Sequence, residues 1–211
     1  MNAYDIHLVL SDIFGKSITR VDLAEGEITV LPYRDKLLNL VIGKGWSAQI
    51  NTNAILYNEK VSEILKRPYS CLNVSLDCGT PKTYQRVKGL DAFHNVISNL
   101  EKYVLNGAKL TLKFFLLQGF NDNHEDIDGF IEIAKHLQVF VITLSNDLQN
   151  IAENPARKHD PNFTDAEFAI LTRLISRAKE RNLKIQYASP WFTKKDRDRL
   201  NTLIEHEQCG C

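Results

Sequence analysis

An excess of charge of either sign is missing. Lys plus Arg number 26 and Asp plus Glu number 26, so the formal charge is zero. A chain built to lie along nucleic acid or an anionic membrane normally carries a basic excess, so neither partner is expected. No apolar run approaches the roughly 20 residues that span a bilayer. The longest clean one, Val139 to Leu144, is strand-sized. Met1 is followed by Asn2, Ala3, Tyr4 and Asp5, neither a basic start nor an apolar signal segment. The expected location is cytoplasmic. Gly (10) and Pro (6) are too few for a collagen-like or low-complexity chain. Cysteine is sparse at four, with no C-x-x-C, and free thiols are the default in the cytoplasm. Cys71 and Cys78 lie in or beside an apolar stretch, and Cys209 and Cys211 sit at the C-terminus. A metal site built from these four would need distant segments brought together. There is no P-loop, no G-x-G-x-x-G and no Ser-His-Asp signature, and the histidines are scattered.

What is present is an alternation of short apolar runs with amphipathic stretches. Ile18–Leu23, Trp46–Thr52, Leu72–Leu76, Lys109–Leu117, Val139–Leu144 and Leu183–Ala188 read as strands. Helical patterns fall at Tyr4–Ile13, Tyr33–Ile42 and Glu59–Lys66. Another carries the stripe Phe93, Val96, Ile97, Leu100 and Val104, stopped by Asn106-Gly107. Ile127, Phe130, Ile131 and Ala134 form a further stripe, with Asp122 and Glu125 in capping-box register. A last helix starts at Thr164, with Glu167 at its third position and Phe163 and Phe168 placed as a hydrophobic staple. This order predicts an α/β fold with a parallel sheet, either a full or partial barrel or an open doubly wound sheet. Ligands bind such folds at the C-terminal ends of the strands.

The strand ends carry the candidate chemistry. The first run leads to Gly26 and Glu27, a turn that lets a backbone approach a ligand and offers it a carboxylate, or simply a turn with solvated acids. The second ends Asn51-Thr52-Asn53, small polar groups suited to a sugar hydroxyl, an amino-acid group or a helix cap. The third gives Ser75 and Asp77, which point to one side of a strand and need partners if buried. The fourth holds Lys113 amid apolar residues, either snorkelling outward or facing an anionic ligand. Asn121 and Asp122 follow it, in part as helix caps.

Taken in order, Gly26-Glu27, Thr52-Asn53, Ser75-Leu76-Asp77, Tyr84, Gly89 and Gly119-Phe120-Asn121-Asp122 resemble the core of radical S-adenosylmethionine (SAM) enzymes, of the molybdenum-cofactor and peptide-maturing type. The resemblance covers roughly residues 4–145. It implies a partial (β/α) barrel of parallel strands, SAM and a [4Fe-4S] cluster, and reductive cleavage of SAM to a radical that modifies a small-molecule or peptide substrate. It places the SAM contacts on Gly26, Glu27, Thr52, Asn53, Ser75 and Asp77, and the substrate side on Lys113 and Asn121. The family's Gly-Gly-Glu segment falls on Glu25-Gly26-Glu27, where Glu25 replaces the first glycine.

The family's first strand and its C-x-x-x-C-x-x-C loop would lie before Tyr4. Without those thiolates nothing anchors the cluster, so the chain is expected to be truncated and inactive. The alternatives are a catalytically silent remnant that binds a ligand or a partner, and an unrelated α/β barrel lyase with Lys113 as its Schiff-base lysine. Loss of the first strand would expose a sheet edge, to be covered by an oligomer, a partner or the Tyr4–Ile13 helix. Residues 1–145 are expected to form the partial barrel and 146–211 an α/β extension of the same domain. In that extension Cys209-Gly210-Cys211 reads as a frayed terminus, and the resemblance offers it as the first piece of an auxiliary-cluster segment.

Overall fold

The computed structural model describes residues 19–24, 26–146, 162–188 and 192–204. The expectations placed on Tyr4–Ile13, Glu25, Cys209 and Cys211 lie outside the described residues. Six strands form one sheet in the order β1-β2-β3-β4-β5-β6, which is also their order along the chain. They are β1 (Arg20–Leu23), β2 (Ser47–Thr52), β3 (Cys71–Ser75), β4 (Leu110–Phe115), β5 (Val141–Ser145) and β6 (Ile185–Tyr187). The pairs β1–β2, β2–β3, β4–β5 and β5–β6 are parallel. Among the described residues seven helices lie between and after them: α1 (Arg34–Gly43), α2 (Glu59–Leu65), α3 (Pro81–Lys88), α4 (Phe93–Leu105), α5 (His124–His136), α6 (Asp165–Glu180) and α7 (Lys194–Ile204). This is the α/β, partial-barrel arrangement expected. Among the described helices, none is long and apolar enough to cross a membrane.

The chain divides into two compact units, one of residues up to 74 with 95–110, the other of 75–94 with the residues from 111 on. In the first, Ala48 and Ile50 of β2 and Leu72 of β3 are fully buried, as are Leu38 of α1 and Val61 and Ile64 of α2. Helix α2 packs on β2 and against α1. Helix α2 is capped by Asn58, whose side chain accepts from the N–H groups of Lys60 and Val61. In the second unit Leu112, Phe114, Ile142 and Leu144 are fully buried. Phe114 meets Phe130 of α5 edge-on with ring centroids 5.0 Å apart, a geometry worth about 0.5–1.5 kcal/mol beyond the area it buries. Alternate positions along β2 and β3 therefore divide between a buried side and a half-buried side.

Three local readings are corrected. Asn123, not Asp122, caps α5, and its side chain accepts from the N–H of Asp126. Helices α3 and α7 were not anticipated. Strands β3, β4 and β6 also stop earlier than their apolar runs, as where β4 ends at Phe115 rather than Leu117. The Thr164–Glu167 capping box of α6 is present as expected, with both reciprocal bonds formed.

Candidate functional site

In the first unit the site begins where β1 ends. Gly26 turns the chain at φ +73°, a conformation that L side chains adopt only with strain. Glu27 follows and caps a short 3₁₀ turn, Ile28–Val30. Its carboxylate receives four donors. Oε1 accepts from the Thr29 N–H at 3.1 Å, the Thr29 hydroxyl at 2.6 Å and the Thr52 hydroxyl at 2.8 Å. Oε2 accepts from the Asn53 N–H at 2.6 Å and lies 3.0 Å from the same Thr52 hydroxyl. The Thr52 oxygen in turn accepts from the Ala54 N–H at 3.0 Å, and Asn53 Oδ1 from the Ile55 N–H at 2.9 Å. Glu27, Thr52 and Asn53, three of the residues singled out, thus meet. Their arrangement fixes the backbone after β1 to the backbone after β2, and most of the Glu27 lone pairs are spent on it.

Helix α4 holds the next turn of this loop from behind. Asn99 Nδ2 donates to the carbonyls of Ala54 and Ile55, both at 3.0 Å, and Asn95 to that of Ile55 at 2.7 Å. The Tyr103 hydroxyl accepts from the Asn58 N–H at 2.9 Å. Burial pushes the Tyr103 phenol up to about 12, so it stays neutral. None of these three was singled out from sequence. The available signal was the spacing Asn95, Asn99, Tyr103, a polar line at four-residue steps beside the apolar stripe.

The polar side of the same unit's sheet is a ladder of side chains. Gln49 Oε1 accepts from Arg20 at 3.0 Å and lies 3.8 Å from the Cys71 sulfur. Two residues on, Asn73 donates to Asn51 at 3.1 Å, and Asn51 donates to the Ala24 carbonyl at 3.2 Å.

In the second unit Asp77 is buried, in a left-handed conformation at φ +61°. Lys88 Nζ stands 2.6 Å from its Oδ2, and the Phe115 N–H donates to Oδ1 at 3.0 Å. Burial raises its pKa, against the pull of the Lys88 ammonium. Asn121 has no exposed surface. Its amide donates to the carbonyls of Asp77 at 2.6 Å and Phe115 at 2.7 Å, and its oxygen accepts from the Leu117 N–H at 2.7 Å. Asp77 and Asn121 therefore serve each other's loops, and every strong donor or acceptor they hold is engaged within the protein. Ser75 closes β3, half-buried, and its hydroxyl makes no hydrogen bond among the described residues. Lys113 lies in register with Thr143, whose hydroxyl accepts from Gln186 Nε2 at 3.0 Å. The buried Asn146, just after β5, has no partner for its amide nitrogen among the described residues.

The loop between Asp77 and α3 is set by Asp126 on α5. Its carboxylate accepts from the N–H groups of Gly79 (3.0 Å) and Thr80 (3.2 Å), the hydroxyls of Thr80 (3.3 Å) and Thr83 (2.6 Å), and Asn123 Nδ2 (2.9 Å). A Cβ on Gly79 would lie 2.0 Å from the Asp126 carbonyl oxygen, and one on Gly129 2.4 Å from that of Gly79. The backbones touch because both residues are glycine.

Among the described residues no group of three or more His, Cys, Asp or Glu side chains is placed to hold a metal ion. The two described cysteines are poor thiolate donors. Burial pushes Cys78 up to about 12, with the Asp77 charge adding to it, and burial also raises Cys71. These residues do not fit a [4Fe-4S] cluster.

No family model matches the chain. GTP 3′,8-cyclase of Clostridium botulinum is 25% identical over 127 residues, which are 59% of this chain and 39% of that protein. The chain thus spans well under half the length of the curated relatives it matches. Among solved structures, SuiB of Streptococcus suis bound to precursor peptide SuiA superposes with a TM-score of 0.68 at 18% identity, over 89% of this chain and 42% of SuiB. SuiB bound to S-adenosylmethionine gives 0.67. A domain of pyruvate-formate lyase-activating enzyme from Bacteroides vulgatus gives 0.60 at 16% identity, covering 80% of this chain and 98% of that one. A radical SAM methyltransferase from Sphaerobacter thermophilus gives 0.57 at 12%, over 89% of this chain and 57% of that one. The chain resembles radical SAM enzymes in sequence and has their fold.

Proposed function

With that likeness as premise, we propose that the described residues are the SAM-binding part of a radical SAM-type protein. In an intact member a [4Fe-4S] cluster supplies the electron that cleaves SAM. The described residues of this chain do not supply the cluster's thiolates, so no reductive step is assigned to them. In this reading the first unit offers the sulfonium nucleoside the open backbone at Gly26 and the amide nitrogen of Asn53, and the Ser75 hydroxyl of the second unit is a contact that rests on the resemblance alone. Glu27, Thr52 and Asp77 are positioning residues that hold those groups in place. Lys113 faces an anionic group of the ligand or substrate. Asn121 shapes the substrate side through the loop after β4. Residues 1–145 act as the barrel core and 146–211 as its extension. The substrate is a small molecule or a peptide, and the precursor peptide bound by SuiB supports the second.

The observation that carries this reading is the four-donor clamp on Glu27. It rigidly presents the turn that the family uses for the SAM amino group, and preorganisation of that kind is what a small polar ligand requires. Calorimetry of the 211-residue chain with SAM tests it. Heat saturating with SAM is expected, weakened severalfold by Ser75→Ala and by Glu27→Ala, and absent with adenine alone. Anaerobic treatment with iron and sulfide is expected to load no cluster. No heat with SAM would end the proposal.

A further inference from the structure

We propose that a groove beside α2, in the first unit, binds a divalent cation of the calcium kind through oxygen atoms. The groove shares no residue with the strand-end groups described above and is independent of the function read from them.

It measures about 400 Å³ and is lined by Glu59, Lys60, Ser62, Glu63, Lys66 and Asn106. Glu59, Ser62, Glu63 and the C-cap Lys66 stand at steps of three and four, so they share one face of α2. Neighbours at such steps have Cβ atoms about 5–6 Å apart, and like charges there destabilise a helix. Neither carboxylate has an ion pair or a hydrogen bond among the described residues. The cations nearby leave them so. Lys60 is spent on Asp35 at 3.0 Å. On α4, Lys102 turns to Asn99 Oδ1 at 3.4 Å and to the Tyr57 ring. Lys66 lines the groove one turn past Ser62 and lies in no ion pair among the described residues. Two carboxylates against one ammonium leave the groove net negative.

Two neutral oxygens join the carboxylates. Ser62 is only 4% exposed, yet its hydroxyl makes no hydrogen bond among the described residues. Burying such a group without a partner is costly, and this one is part of the groove wall. Asn106 spends both amide hydrogens, on the Tyr57 hydroxyl at 3.2 Å and the Lys102 carbonyl at 2.9 Å. A carbonyl only accepts, so the Asn106 nitrogen is fixed on that side. Oδ1 is what the residue has left to offer the groove.

Lys66 apart, every unspent polar group of the lining is thus an oxygen. Calcium takes six to eight carboxylate, carbonyl and water oxygens in flexible geometry, and the groove has room for the waters. Thiolate and imidazole, the usual zinc ligands, are absent from the lining. An anion would find Lys66 alone. With two carboxylates and a lysine present, the affinity belongs at the weak end, a dissociation constant of about 10⁻⁴–10⁻³ M.

The test titrates calcium chloride into the full 211-residue chain in metal-free buffer and follows backbone amide NMR signals. Saturating shifts are expected at residues 59–66 and at Asn106. Glu59→Gln and Glu63→Gln are each expected to weaken binding at least fivefold, and Glu125→Gln, an exposed acid on α5, to leave it unchanged. Lys66→Gln removes the competing ammonium and is expected to tighten binding at least twofold. Shifts that fail to saturate, or that sodium chloride reproduces at equal ionic strength, would overturn the site. So would weaker binding in Lys66→Gln. Spermidine is the second probe: saturation by it and not by calcium would replace the metal with an organic ammonium and overturn the proposal.

Discussion

Replacing Gly79 by alanine would drive a methyl group into the backbone of α5. The added carbon would stand 2.0 Å from the Asp126 carbonyl oxygen and 2.4 Å from the Phe130 nitrogen, and neither atom belongs to a side chain that can swing away. Overpacking of this kind costs about 1–3 kcal/mol. Relief by moving the loop stretches the N–H bonds from Gly79 and Thr80 to the Asp126 carboxylate, and a hydrogen bond to a charged group is worth roughly 1.5–3 kcal/mol. The sum is about 4 kcal/mol, a large part of the 5–15 kcal/mol that holds a typical domain folded. For a chain of this size each kcal/mol moves the melting temperature by about 2–4 °C, so Gly79→Ala should melt ~8–16 °C lower. Gly89→Ala is the control. That glycine, unlike Gly79, needs a left-handed backbone, at φ +72°, and nothing lies within 4 Å of its added carbon. Its cost is the backbone term alone, about 1–2 kcal/mol. Circular dichroism melts of the two variants beside the wild type make the comparison. Equal losses would refute the argument that close approach, rather than conformation, requires Gly79.

Two other outcomes can be checked directly. Lys88→Met leaves the Asp77 carboxylate buried without its cation, a change costing about 3 kcal/mol. Burial already places the Asp77 pKa above its ordinary value, and removing the ammonium raises it further. The folded pKa then exceeds the unfolded one, about 3.9. The protonated form's stabilisation is full below that value and is lost as pH rises through the folded pKa. Urea melts of Lys88→Met should therefore lie closer to wild type at pH 5 than at pH 8, and a deficit independent of pH would contradict this. Cys78, with its thiol pushed up to about 12, should resist iodoacetamide at pH 8 in the native chain and react on addition of urea. Mass spectrometry would show rapid native labelling if this is wrong.

The strands were legible because their apolar residues run continuously or, as in β2, alternate with polar ones, and α4, α5 and α6 because each buries a long stripe. Helix α3 escaped notice because only Thr83 and Tyr84 of its residues are buried. Its ends were nonetheless written in Thr80-Pro81 and Gly89, a cap, a first-turn proline and a left-handed stop. Helix α7 likewise buries only Asp196 and Leu200. At the strand ends, spacing revealed that Asp77 needed partners. It did not reveal that Lys88 and the Phe115 N–H are those partners, because the chain reverses between them. Asn121 read as a polar group for a substrate. Its contacts with Asp77, Phe115 and Leu117 depend on how two loops meet, which no local pattern encodes.

Asn121 also has a mechanical consequence. By grasping the Asp77 carbonyl across 44 positions of sequence while holding Phe115 and Leu117, it ties two connecting segments into a single moving part. Slow excursions of one must carry the other, so relaxation-dispersion measurements would return one shared exchange rate for Cys78 and Gln118. A bound molecule that stills either segment would quieten both.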